Sequence, residues 1–376
     1  MDFSLTEEQT LLQDSVSRFI QNDYGFDKRQ KIIKEESGFS AANWKTFAEL
    51  GWLGVPFSED DGGFGGGPIE SMLMLEQFGK GLVVEPFLPT VVLAGGALKI
   101  AGSAEQKAAH LAGIVEGKVQ AALAYAEPQG RYNLADLTTT AKKDGDGWVI
   151  DGYKAVVLNG PNADLLVVSA RTSGGQRDQK GVSLFLVPAD AKGISRRDYP
   201  TVDALRASEI TFEKVRVGGD ALLGDADGGY AVLEQVIDEG ILAVGAEAVG
   251  GMEVLYKATV EYCKTREQFG QPIGKFQVLQ HRMVDMFMEH EQAKSLMYMA
   301  AMRLAEGYGA EAQKAVSAFK VQVGKSGRFV GQSAIQLHGG MGMTDELSVG
   351  HYFKRLTTID TLFGNVDFHL KRFGRL

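Results

Sequence analysis

WVIDGYKAVVLNGPNADLLVVSAR, residues 148–171, decides how this chain reads. Two β-branched and apolar runs are separated by Asn159, Gly160, Pro161 and Asn162, residues that favour turns, so the stretch predicts two strands and a tight connection. AALAYAEP (121–128), LTTTAKK (137–143), VSLFLVP (182–188) and ASEITFEKVRV (207–217) continue the pattern outward on both sides. Short strands at roughly 8 to 12 residue spacing predict an antiparallel barrel or sandwich.

Before this region, from Asp2 to about Gly113, apolar residues recur at helical spacing, as in Leu11, Leu12, Val16, Phe19 and Ile20 and again in Trp44, Phe47, Leu50 and Leu53. Residues 71–78 and 90–100 keep that period. The glycine-rich stretch at 60–68 has no Lys-Ser/Thr and no preceding strand, so it predicts a mobile or tight connection rather than a phosphate loop. After the strands, three long helical patterns occupy 228–266, 278–307 and 310–340. Helices of that length pack as a bundle. The fold class is therefore α+β: an N-terminal all-α domain (1–118), a middle antiparallel β-barrel domain (119–225) and a C-terminal helical-bundle domain (226–376).

Bulk properties narrow the function classes. A chain of 376 residues is long enough for two or three packed domains, and 44% hydrophobic with 23% charged residues is a globular balance. The net charge of −9 argues against a general nucleic-acid binder. No apolar run approaches the roughly 18 residues needed to span a bilayer, and the opening MDFSLTEEQTLLQDSV has acidic residues where a signal peptide has basic ones. These features lead to the expectation of a cytoplasmic protein without a membrane span. The lone Cys263 can form neither an internal disulfide nor a thiolate cluster and reads as a buried small hydrophobe.

Four collinear stretches resemble the acyl-CoA dehydrogenase family: ELGWLGVPFSEDDGGFGG (49–66), AEP followed by the strand run at 148–171, TREQFGQPIGKFQVLQH (265–281) and IQLHGGMGMTDE (335–346). Arg266 offers a planar fork of donors suited to a pyrophosphate. Phe269 and Phe276 offer flat apolar surfaces, Gln277 and Gln336 polar tips, and Gly339 and Gly340 a close backbone approach. Helix capping and interface packing explain the same residues without a ligand. The resemblance implies that the C-terminal domain is a four-helix bundle and that these residues hold the ADP half of FAD across a subunit interface. It further implies that backbone groups of Tyr125, Ala126, Glu127, Leu158 and Asn159 face the flavin. Leu123, Ala126, Val156 and Leu158 stand where the family often has aromatic or hydroxyl side chains, leaving room for a branched, dicarboxylic or ring-bearing acyl group.

The activity implied is removal of two hydrogens from the α and β carbons of an acyl-CoA thioester, with electrons passing to an electron-transfer flavoprotein. That chemistry needs a carboxylate base. The family usually carries it near the C-terminus, where this chain has Phe363, and one branch carries it on the first bundle helix, where this chain has Gly240. Glu239 is the first substitute. Glu247, seven residues after Gly240, returns to nearly the same helix face; pairing with Arg282 or Arg303, or substrate recognition, is its other expected job. Asp238 and Asp367 are weaker candidates. EPQGRYNLADLTTTA (127–141) and LFGNVDFHLKRF (362–373) resemble a subgroup that includes the pimeloyl-CoA dehydrogenase small subunit and heteromeric dehydrogenases of steroid side-chain degradation. A homo- or hetero-oligomer, a dimer or dimer of dimers, is implied. A catalytically silent structural subunit, and a flavin monooxygenase or nitroalkane oxidase on the same fold, are the alternatives.

Overall fold

The computed structural model describes residues 4–376, so the expected helical start at Asp2 lies outside the described residues. The N-terminal segment forms α1 (Glu7–Asp23), α2 (Phe26–Ile32), α3 (Ala41–Glu49), α4 (Pro68–Gly81), α5 (Gly96–Ala101) and α6 (Ala104–Val115). Their starts are encoded locally. Thr6 with Gln9 and Ser103 with Gln106 form reciprocal capping boxes at α1 and α6, satisfying amides that a helix start leaves unbonded. The helical pattern over 90–100 divides into a π-helical segment, Leu88–Gly95, that runs into α5. The glycine-rich stretch is a tight connection: the amides of Phe64, Gly65 and Gly66 donate to the carbonyls of Gly54, Phe57 and Val55.

The middle segment forms β1 (Ala121–Ala124), β2 (Thr140–Asp144), β3 (Gly147–Leu158), β4 (Leu165–Arg171), β5 (Val182–Pro188), β6 (Ile194–Pro200), β7 (Arg206–Val217) and β8 (Leu222–Leu223). The sheet path runs β6-β7-β3-β2-β4-β5-β8, with β1 paired to β4. Ala122, Ala124, Ile150, Val157, Leu166, Val168, Phe185, Val187, Ile210 and Phe212 share one buried interior, so the sheet curls on itself. The antiparallel expectation holds for most ladders. It is corrected at β1, which runs parallel to β4 from Ala121↔Leu165 to Ala124↔Val168, and at the parallel bridge of β2 to β4. A register shift between Lys154 and Val157 leaves Val156 exposed and returns Val157 to the interior. The mostly exposed β6 and the two-residue β8 add to the expected strands.

The C-terminal segment forms α7 (Gly229–Thr265), a hairpin of β9 (Glu267–Gln268) and β10 (Gln271–Pro272), then α8 (Gln277–Glu306), α9 (Ala310–His338), α10 (Ser348–Thr361) and α11 (Val366–Phe373). Contacts divide the chain into two compact units: Met1–Lys31 with Pro68–Val83 and Ile241–Leu376, and Ile32–Gly67 with Val84–Gly240. In the first, α4 and α7 cross backbone to backbone. A Cβ on Gly79 would fall 1.9 Å from the Glu247 carbonyl oxygen, and one on Gly250 would fall 1.9 Å from that of Glu76. Only glycine permits this approach. Cys263 is a free, buried thiol, and burial pushes its pKa up. Among the described residues no helix is long and apolar enough to cross a membrane.

The crossing yields a direct expectation. Gly250→Ala forces the two helices apart and is expected to cost about 3 kcal/mol, the upper end of ordinary overpacking, read as a lowered midpoint in urea unfolding. Gly340→Ala, where a Cβ meets nothing within 4 Å, serves as the control with little change.

Candidate active site

Two segments implicated by the sequence come together at one end of the helical unit. Tyr262, in the last turns of α7, stacks on His338 at the end of α9 with ring centroids 4.3 Å apart, and its hydroxyl donates to the His338 carbonyl at 3.5 Å. This contact sets the hairpin after α7 beside the loop after α9. The hairpin turn places Phe269 at φ +56° and Gly270 at φ +78°, the left-handed pair of a tight two-residue turn. Phe269 is 90% exposed and meets Phe276 edge-on at 6.1 Å. Arg266, Gln277, Gln336, Gly339 and Gly340 are likewise exposed, whereas Phe276 is half-buried. Gly339 has φ +61° and open space where a Cβ would stand. An arginine fork, two amide tips and two unobstructed glycines suit a diphosphate bearing an aromatic base.

In the β-domain, residues 125–127 lie against β3. The Ala155 amide donates to the Ala126 carbonyl at 2.9 Å, and the Lys154 ammonium reaches the Tyr125 carbonyl at 3.3 Å. Glu127 was expected to contribute its backbone, but its side chain organises the region. The buried carboxylate accepts from Lys154 at 2.7 Å, from the Thr138 amide at 2.7 Å and hydroxyl at 2.5 Å, from the Thr139 amide at 3.1 Å and from Gln129 at 2.8 Å. Burial works to raise this carboxyl; Lys154 and the Thr138 bonds outweigh it and bring the pKa down to about 2. Burial also pulls Lys154 down, to about 8, with Glu127 opposing. Tyr125 is raised by burial and by Tyr132. Asn159 departs from expectation: its amide donates to the Arg206 carbonyl at 2.9 Å and its side chain to Gln120 at 2.9 Å. It locks a turn at φ +58°, and Leu158 beside it is half-buried.

The acids are placed as follows. Glu239 is partly buried on α7, bonded to Lys99 of α5 at 3.3 Å and to Gln235 at 3.2 Å. Glu247 is buried and makes a two-pronged pair with Arg355 of α10, at 2.7 and 2.6 Å. The expected partners are thus corrected: Arg303 pairs with Glu306 of its own helix, and Arg282 is exposed. Both oxygens of Glu247 are held by one guanidinium in a buried ion pair. Asp238 is buried and Asp367 is exposed in the first turn of α11. Phe363 is buried, at φ +58°, in the turn between α10 and α11. Lys154, Arg355 and Lys320 of α9 were not singled out from sequence. Lys154 and Lys320 each had a signal, a lysine inside an apolar run (GYKAVV and AFKVQV).

Models of the acyl-CoA dehydrogenase N-terminal, middle and C-terminal domains match residues 6–118, 122–215 and 227–375. The chain belongs to the acyl-CoA dehydrogenase family. It is 30% identical over 354 residues to a probable acyl-CoA dehydrogenase, YngJ, of Bacillus subtilis, a match covering 93% of this chain and 92% of that protein. Among solved structures it is similar to the Tcur3481-Tcur3483 steroid ACAD, with a TM-score of 0.88, 31% identity and coverage of 98% and 97%. It is also similar to an FAD complex of PigA, with a TM-score of 0.92, 28% identity and coverage of 100% and 98%. This acyl-CoA dehydrogenase family member therefore keeps the scaffold over essentially its whole length while carrying phenylalanine at 363.

The Glu127–Lys154 pair gives a measurable pH dependence. An unfolded glutamate titrates near 4.3 and the folded one near 2, so the folded state favours the ionised form. That stabilisation, about 3 kcal/mol, is complete above about pH 5 and is lost as pH falls toward 2. Lys154→Met leaves the carboxylate buried without its cation and is expected to cost about 3 to 5 kcal/mol at pH 7, read by urea unfolding, with a shallower loss of stability on acidification.

Proposed function

We propose that this chain is a subunit of an FAD-dependent acyl-CoA dehydrogenase whose proton-abstracting carboxylate is displaced from position 363 or borrowed from a second subunit. The observation that carries the reading is Phe363. It is an aprotic side chain, buried in a left-handed turn, on a chain whose three domains all match the family. Bound FAD supplies the two-electron acceptor, and an electron-transfer flavoprotein takes the electrons onward. Arg266, Gln277, Gln336, Gly339 and Gly340 hold the diphosphate end of an FAD shared across a subunit interface, with Phe269 and Phe276 against the adenine. Backbone groups of Tyr125, Ala126, Glu127 and Leu158 serve the ring end, with Asn159 setting the turn rather than making the contact.

The base in this reading is Glu239 when it belongs to this chain. Its pairing with Lys99 keeps a carboxylate in place on α7, and Gly240 beside it adds no bulk. A second chain is part of the proposal because the helical unit exposes apolar side chains together with the nucleotide-end residues: Val278 at 73%, Val284, Phe287 and Met288 on α8, and Met343 at 76%. Apolar surface of that kind marks an interface. The two-component name of the Tcur3481-Tcur3483 protein fits the same reading. A cytoplasmic location also belongs to it, resting on the single reduced thiol of Cys263. The domain limits at 118/119 and 225/226 are proposed on the same footing, supported by the gaps between matched segments.

A second reading, a silent structural subunit, is favoured by one observation: Glu239 and Glu247 are both engaged in ion pairs. Anaerobic mixing with acyl-CoA separates the two. The chain purified with its genomic neighbour is expected to retain FAD and bleach it, and Glu239→Gln is expected to slow bleaching at least about 100-fold, the size of a general-base contribution, without loss of FAD. Full activity in Glu239→Gln assigns the base to the partner. No bleaching by any acyl-CoA, alone or paired, removes the dehydrogenase reading. Phe363→Glu is expected to raise bleaching by the chain alone above that of the unsubstituted chain.

A further inference from the structure

Lys320 stands at the centre of α9, fully buried. Its ammonium donates to the carbonyl oxygens of Ile359 at 2.8 Å, Asp360 at 2.9 Å and Gly364 at 2.7 Å. An ammonium has three N–H donors and no acceptor, so each donor is used once. Two of the acceptors belong to the last turn of α10, where helix geometry leaves carbonyls without amide partners. The third lies beyond the turn. Between them, the Phe363 carbonyl meets Nε2 of buried His369 at 3.0 Å. A carbonyl can only accept, so Nε2 carries the proton, and Nδ1 is left toward the Ser317 hydroxyl at 3.5 Å.

Residue 363 is thereby clamped from two helices. Phe363 at φ +58° precedes Gly364 at φ +115°, and a left-handed phenylalanine persists only where its surroundings over-determine it. Ending a helix requires no more than a glycine. Burying an ammonium for that purpose is costly, and it supplies something a glycine cannot, a fixed direction for the side chain of residue 363. The charged neighbours support this arrangement: Asp360 pairs with Arg328 at 2.9 Å, and Arg372 reaches Ser317 at 3.5 Å. Burial pushes Lys320 down to about 7 against the pull of Asp360, and burial together with the nearby Lys320 charge pushes His369 down to about 3, which keeps the imidazole neutral beside the ammonium.

We propose that Lys320 is a positioning residue for the acyl site, holding residue 363 through the three carbonyls around its turn, with His369 as the second clamp. The proposal rests on the reading that residue 363 borders the reacting acyl group. It predicts that whatever occupies position 363, a phenylalanine wall here or an introduced carboxylate, is presented at a place set by the α9 lysine.

The test uses the full chain with its partner and the variants Lys320→Met and His369→Phe, followed by hydrogen exchange of the peptide over 356–368 and by substrate-driven flavin reduction. Lys320→Met is expected to speed exchange in the turn about ten-fold or more with α8 amides unchanged. It should also slow flavin reduction about ten-fold or more at unchanged FAD content, as misplacement by about an ångström does. His369→Phe keeps an aromatic ring but removes the Nε2 donor and should act in the same direction with a smaller effect, which covers a Lys320→Met protein that does not fold. Exchange that stays unchanged in the turn, that rises equally across the bundle, or that rises with no change in flavin reduction overturns the proposal. If the parent pair reduces no flavin, the functional reading fails; a turn loosened in Lys320→Met then still upholds the clamp, and an unloosened one overturns it.

Discussion

A charge removed from water needs a complete set of partners, and this chain is organised around three places where that requirement is met. In the β-domain, Glu127 gathers Lys154, Thr138, Thr139 and Gln129, which joins the segment after β1 to the start of β2 and the middle of β3. In the helical unit, Glu247 and Arg355 fasten α7 to α10. Lys320 then ties α9 to the end of α10. The charged side chain at the centre of each is buried, and removing its partner strands it in a medium that solvates it poorly. The apolar core could tolerate exchange of one aliphatic residue for another. These clusters could not, and they set how the strands and helices carrying the candidate site residues are aligned.

Much of the fold was legible because burial leaves a period in the sequence. The long helices and the strands from β1 to β5 and β7 all announce themselves by spacing. β6 does not, because Ile194–Pro200 is a charged edge strand whose exposed side chains carry no alternation. The parallel direction of β1 was also unreadable, since a run such as AALA looks the same in either sense. The π-helical turn of Leu88–Gly95 has the composition of an ordinary helix, and only its hydrogen bonds separate the two.

The candidate site was legible in a different way. Arg266, Phe269, Gln336 and Gly339 could be named because their residue types suit a diphosphate and their order resembles a family. Their meeting through Tyr262 and His338 is a tertiary fact with no local trace. Helix arithmetic places Glu247 on a meaningful face, yet its partner, Arg355, is 108 residues away in sequence, farther than Arg282 or Arg303, and no local pattern points to it. Glu127 shows the reverse: the motif that contains it was recognised, and the part of it that matters most, the carboxylate, was read as backbone.

The hairpin after α7 has one more consequence. It holds a phenylalanine ring almost wholly in water at the end of a rigid turn, close in sequence to the apolar side chains of α8. Such a tip adheres to other apolar surfaces whether or not they are the intended ones. A chain whose tip is left uncovered is therefore open to self-association, and its solubility falls as its concentration rises.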